Sequence, residues 1–109
     1  MPSQIENRII EVRRARAPMK RALQQGGACR VELTGNRRRT LVHHPLLDAP
    51  HRPLPWPFSL FQQPTVRYMV TEGETRVSSH IYTRNRVDEA IEYFLRDLAP
   101  ETRVTISRE

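Results

Sequence analysis

The spacing of hydrophobic positions alternates along the chain between helical and strand-like, and each change of period marks an element. Near the N-terminus Ile5, Ile9, Ile10 and Val12 recur at near-helical intervals, and Ser3 with Glu6 has the Ser-x-x-Glu form of a capping box. This predicts a first helix from about Gln4 to Arg16. Pro18 lacks the backbone N–H that a continuing helix needs and clashes one turn back, so the helix is expected to end or kink before it. Met19 to Leu23 can form another short turn, and Gly26-Gly27 closes the helical region.

From Cys29 the period becomes two. Cys29, Val31 and Leu33 alternate with Arg30 and Glu32, a half-buried strand, and Gly35-Asn36 turns the chain into a return strand over Arg38 to His43. A two-residue loop would set Glu32 opposite Arg39, with the register open by one residue. After a long interruption Val66, Tyr68 and Val70 alternate with Arg67 and Met69, Glu72-Gly73 turns the chain, and Arg76 to Thr83 returns with Val77, Ser79 and Ile81 on one face. Asn85 or Thr83 can cap the next helix, whose apolar stripe is Val87, Ala90, Ile91, Phe94, Leu95 and Leu98. Pro100 stops it, and Val104 and Ile106 alternate with Arg103 and Thr105 in a last strand.

The expected order is α-β-β-loop-β-β-α-β. Helices apolar on one stripe must bury it, and an antiparallel sheet made of two hairpins and a C-terminal strand offers a face to cover. The fold class is therefore α+β, a two-layer sandwich. With 109 residues the whole chain, 1–109, fits one domain able to build a core without metals or disulfides.

Proline changes the picture between residues 45 and 64, where Pro45, Pro50, Pro53, Pro55, Pro57 and Pro64 exclude a helix or central strand. So long a structureless loop is functional or mobile. It also carries Leu54, Trp56 and Phe58, and disordered segments are usually poor in such residues. Two readings stay open: the loop folds back and its aromatics cap the sheet, or a stiff extended segment offers Leu54, Trp56 and Phe58 to a protein partner.

Charge is distributed unevenly. Residues 1–52 hold eleven Lys and Arg against four Asp and Glu, a net +7, whereas residues 53–109 hold seven against eight, a net −1. Such a field governs partners and association rates rather than fold. Two groups of cations stand out. Arg13, Arg14, Arg16, Lys20 and Arg21 crowd the end of the first helical region, where the helix dipole alone accounts for them. Arg37, Arg38 and Arg39 follow a tight turn, with only Glu32 nearby in sequence to offset them. If the two groups share a face they form a surface for backbone phosphates.

Other chemistry is poorly supported. Cys29 is alone and reads as a buried thiol in a reducing compartment. His43, His44, His51 and His80 lack zinc-site spacing, so no metal is expected, and although His43, His44 and Asp48 sit close in sequence no nucleophile is tied to them. Gly26, Gly27, Gly35 and Gly73 make neither phosphate-cradling glycine motif, and no cofactor is expected. Asp88, Glu89, Glu92 and Asp97 form a solvated helix face. The first fifteen residues contain no apolar run suited to a secretory signal or membrane span, so a cytoplasmic location without membrane association is expected. The expected function is a small non-enzymatic accessory or regulatory protein that binds nucleic acid, DNA or RNA, or another polyanion through its arginines. The alternative is an inhibitor or adaptor that engages an acidic protein through the basic surface and the Pro-rich aromatic loop.

Overall fold

In the computed structural model, which describes residues 6–48, 55–58, 65–73 and 78–109, a six-stranded antiparallel sheet carries two helices. The strands are β1 (Glu6–Glu11), β2 (Cys29–Leu33), β3 (Asn36–His43), β4 (Arg67–Glu72), β5 (Ser78–Thr83) and β6 (Arg103–Arg108), and the helices are α1 (Arg16–Gln24) and α2 (Val87–Leu95). The sheet order is β1-β6-β2-β3-β4-β5, which leaves β1 and β5 at the edges.

The strand register divides the residues between two faces. Ile10, Val104, Ile106, Cys29, Val31, Leu41, Val70 and Tyr68 fall on one side, and most of them are fully buried with Met19 and Leu23 of α1 and with Val87, Ala90, Ile91, Phe94 and Leu95 of α2. The α+β class and the second helix thus agree with the sequence pattern, with the stripe buried from Val87 to Leu95, although the helix ends at Leu95, ahead of Leu98 and Pro100. Ile9 and Ile81 lie on the other face, at the two edges, and remain more than half exposed.

The N-terminal prediction is corrected. Residues 6–11 form no helix but an edge strand, paired from Glu6↔Arg108 to Glu11↔Arg103, and Ser3 and Gln4 of the expected helix start lie outside the described residues. The reason is tertiary. Without β1, one side of β6 would be an unpaired edge, and the β-branched pair Ile9-Ile10 suits a strand better than a helix. Pro18 was expected to end a helix. Instead it is the third residue of α1, where the first-turn N–H groups have no helical acceptor in any case, so the missing donor costs no ladder bond. The helix then ends at Gln25 and Gly26, whose φ of +84° is a left-handed conformation that glycine adopts without strain.

Two smaller corrections matter for the charges. A bulge between Glu32 and Leu33 puts Glu32 opposite Thr40 rather than Arg39, and Arg39 faces Glu72 of β4 instead. Thr83 and Asn85 bond each other at 2.7 Å and leave the N-terminus of α2 without a side-chain cap. Val77 and Arg76 of the expected return strand lie outside the described residues, while Ser79 and Ile81 share the uncovered face.

Candidate polyanion interface

α1 lies at the centre of the charge pattern, and it runs antiparallel to α2. Arg16 and Lys20, four residues apart on α1, meet Glu92 and Asp88, four residues apart on α2. The Arg16 guanidinium grips Glu92 through both Nε and Nη2, the latter at 3.1 Å, and Lys20 Nζ stands 3.1 Å from Asp88. That bidentate bond holds the Glu92 carboxyl below its ordinary pKa and pushes the Arg16 guanidinium up. Arg13 pairs with Glu11 at 2.7 Å. Arg13 and Arg16 sit just before and at the start of α1, the positive end of its dipole, and Lys20 sits at its middle, so the dipole does not account for them. Carboxylates from β1 and α2 do.

Arg14 and Arg21 form no ion pair among the described residues. Arg21 lines a cleft of about 230 Å³ between α1 and the β1–β6 edge, walled by Pro18 and Ile106 and edged with Gln25, Arg8 and Arg108. Arg8 lies opposite Ile106 in the register and therefore on the helix-facing side, and Arg108, two residues beyond Ile106, faces the same way. Among the described side chains no carboxylate lines the cleft. Arg108 is half-buried. Its Nη2 donates to the Gly26 carbonyl at 2.8 Å, but its Nε is buried with no hydrogen-bond partner. Arg108 also borders a neighbouring hollow of about 290 Å³ beside Cys29, His43 and His44.

The hairpin arginines part company. Arg39 is half-buried against the end of α2: it pairs with Glu72 at 3.2 Å, and its Nη1 donates to the carbonyls of Phe94 at 2.8 Å and Arg96 at 2.6 Å. It thereby satisfies carbonyls that a helix C-terminus leaves without partners. Arg38 is exposed, and its carbonyl accepts from Gly73 N at 2.7 Å. Arg37 belongs to β3, and its side chain lies outside the described residues.

One continuous cationic face is not made. Backbone bonds from Thr34 N to Arg103 O, and from Val12 N to Thr102 O, place the hairpin tip and the Arg13-Arg14 turn at one end of the sheet. The cleft of Arg8, Arg21 and Arg108 lies at the other, and the five steps along the strand from Arg103 to Arg108 span about 17 Å.

The histidines are held by structure. His43 is buried, with Nδ1 3.0 Å from the Gly27 carbonyl and Nε2 3.2 Å from Asp48, which also accepts from the backbone N–H of Arg67 at 3.1 Å. His43 and Asp48 thus do meet, and together they tie β4 to the turn that follows β3. His44 Nδ1 accepts from Leu46 N, and His80 lies 3.0 Å from the Tyr93 hydroxyl. His51 lies outside the described residues, and among those described no three metal-ligating side chains gather. Burial pushes the Cys29 thiol up to about 11, against a smaller opposing influence of Arg108, so it is protonated at neutral pH. Trp56 and Phe58 are 79% and 62% exposed, and Leu54 lies outside the described residues. Among the described residues no helix is long and apolar enough to cross a membrane.

Arg8 and Arg108 escaped the sequence reading. Arg8 fell inside a segment read as helix, and Arg108 continues the buried parity of Val104 and Ile106, a position where an arginine is itself a signal. Comparison with protein-family models, curated proteins and solved structures returns no match.

Proposed function

We propose that this protein is a small non-enzymatic nucleic-acid-binding accessory protein, acting in the cytoplasm, that takes a nucleic-acid phosphate in the cleft between α1 and the β1–β6 edge. The observation that carries this reading is the convergence of Arg8, Arg21 and Arg108 on one cleft that no carboxylate of the described side chains lines, with a buried Arg108 Nε that has no hydrogen-bond partner. Burying a guanidinium donor without a partner is unfavourable, and like charges in one cleft repel, so an anion there stabilises all three groups at once. Guanidinium forks match phosphate oxygens in geometry as well as charge. At the far end of the sheet Arg14, Arg38 and Arg103 are exposed and extend the positive field along the molecule, where contacts follow backbone charge rather than base identity.

Titration of single- and double-stranded oligonucleotides at several salt concentrations tests this. Affinity is expected to be strongest at low salt, with log affinity falling linearly against log salt by about 0.9 per phosphate contacted on duplex and about 0.7 on single strands. Absence of binding at low salt overturns the reading. The second reading, an adaptor for an acidic protein, is favoured by the exposure of Trp56 and Phe58, since a solvent-facing aromatic pair in a proline-rich segment suits a partner surface. A Trp56 emission that shifts with an acidic protein and not with oligonucleotides would support it.

A further inference from the structure

We infer that the α1 cleft recognises a terminal phosphate of a nucleic-acid strand, a phosphomonoester, in preference to the phosphodiesters along its backbone. The inference rests on the nucleic-acid reading above and specifies which phosphate the cleft takes.

Three features point that way. The first is charge: Arg8, Arg21 and Arg108 line one cleft without a carboxylate among the described side chains, and a phosphomonoester brings about −1.5 to −2 at neutral pH where a diester brings only one charge. The second is donor count. An internal phosphate presents two unesterified oxygens, a terminal one three, and three forks with Gln25 beside them offer more donors than a diester can accept. The third is size and partial enclosure. A cleft of about 230 Å³, with α1 as one wall and Ile106 of β6 in its floor, holds one phosphate and part of a sugar, whereas a continuous strand needs a groove that lets the chain enter and leave. The half-buried Arg108 is the deepest of the three cations, and its Nη2 bond to Gly26 fixes it, so little side-chain entropy is lost when an anion arrives. The other clusters are better satisfied internally. Arg39 and Arg96 share Glu72, and His43 is held between Gly27 and Asp48.

The test uses the full chain and one short single-stranded oligonucleotide in three forms: 5′-phosphorylated, 3′-phosphorylated, and with both ends free. One phosphorylated form is expected to bind about tenfold more tightly than the unphosphorylated strand, the gain of one strong charge-assisted contact. A nucleoside monophosphate is expected to compete with it. Arg108→Gln and Arg21→Gln are expected to bind all three forms alike, and Arg21, exposed on α1, gives a variant that folds should Arg108→Gln fail to. Equal affinity of the wild-type protein for all three forms, with binding retained, overturns the terminal-phosphate inference and leaves the nucleic-acid reading intact. Binding of the monophosphate by a protein that binds none of the three strands overturns both and makes the cleft a small-molecule site. Competition by poly-L-glutamate, with no binding of any strand, overturns both in favour of an acidic protein partner.

Discussion

Arg39 and Arg108 are both half-buried arginines on the helix-facing side of the same sheet, and they end very differently. Arg39 has a carboxylate, Glu72, and two helix-end carbonyls. Arg108 has one carbonyl, no carboxylate among the described side chains, and a buried Nε left over. A guanidinium whose donors are satisfied within the fold fixes structure, whereas one that is desolvated without its counter-charge costs stability until something supplies it. Sequence does not distinguish the two, because each is an arginine in a strand. The difference is made by neighbours: α2 delivers its C-terminus to Arg39, while α1 and β1 bring more cations to Arg108.

Changes at the Arg39 end should therefore act on stability. Phe94 is fully buried, and its carbonyl is one of the two that Arg39 binds, so Phe94→Ala removes core packing and loosens the clamp together. A loss of about 3–5 kcal/mol in denaturant titration is expected, and a loss within error of zero would mean that α2 does not anchor this region. Arg39→Ala should cost about 2 kcal/mol, the scale of charge-assisted bonds in a partly solvated site, with Glu72 still held by Arg96 and the Tyr93 hydroxyl. If Arg39→Ala left stability unchanged and abolished oligonucleotide binding, the two arginines would have exchanged roles.

Cys29 lies beside the Arg108 end and sharpens the contrast through pH. Its thiol is held up to about 11 in the folded protein against an ordinary value of 9, chiefly by burial, so the native state keeps a proton that the unfolded chain releases. Stability from this group is complete below pH 9 and is lost as pH rises towards 11, by roughly 3 kcal/mol at about 1.4 per unit. Comparison of wild type with Cys29→Ala across that window isolates it. Parallel curves would remove the thiol from the account. A bound anion should postpone the loss, because it cancels the Arg108 charge that favours the thiolate.

The strands and α2 were legible because their patterns agree with their surroundings: the stripe from Val87 to Leu95 is apolar on one side, and the alternation from Cys29 to Leu33 is buried on one side. The first strand was not. Ile5, Ile9, Ile10 and Val12 fit a helical period, and only the edge of β6, nearly a hundred residues away, decides for a strand. That error concealed half of the candidate site, since Arg8 faces the cleft only in the strand register. The hairpin arginines were legible as a charged turn, but the bulge at Glu32 that sends Arg39 inward to Glu72 has no signal in the sequence. Arg16 and Lys20 carried a hint that went unread, because a spacing of four matches that of Asp88 and Glu92 on the other helix.

The smallest stability effects and the clearest binding effects should come from the cleft. Arg8 and Arg21 are exposed and form no ion pair among the described residues, so Arg8→Ala and Arg21→Ala should change stability by no more than about 0.5 kcal/mol, and the double variant can even gain from relief of repulsion. On duplex the double variant should lose affinity on every sequence and make the salt slope shallower by about 1 to 2, one or two released counterions fewer. Arg37→Ala with Arg38→Ala, at the opposite end of the sheet, is the control that divides the two regions. If backbone phosphates run along the whole molecule, that variant should also flatten the slope, by up to about 2. If the cleft is the main contact, the slope should stay near wild type while the cleft variant falls. A cleft variant with wild-type affinity and slope, beside a hairpin variant that loses both, would move the interface to the hairpin and leave the buried Nε of Arg108 without a ligand to explain it.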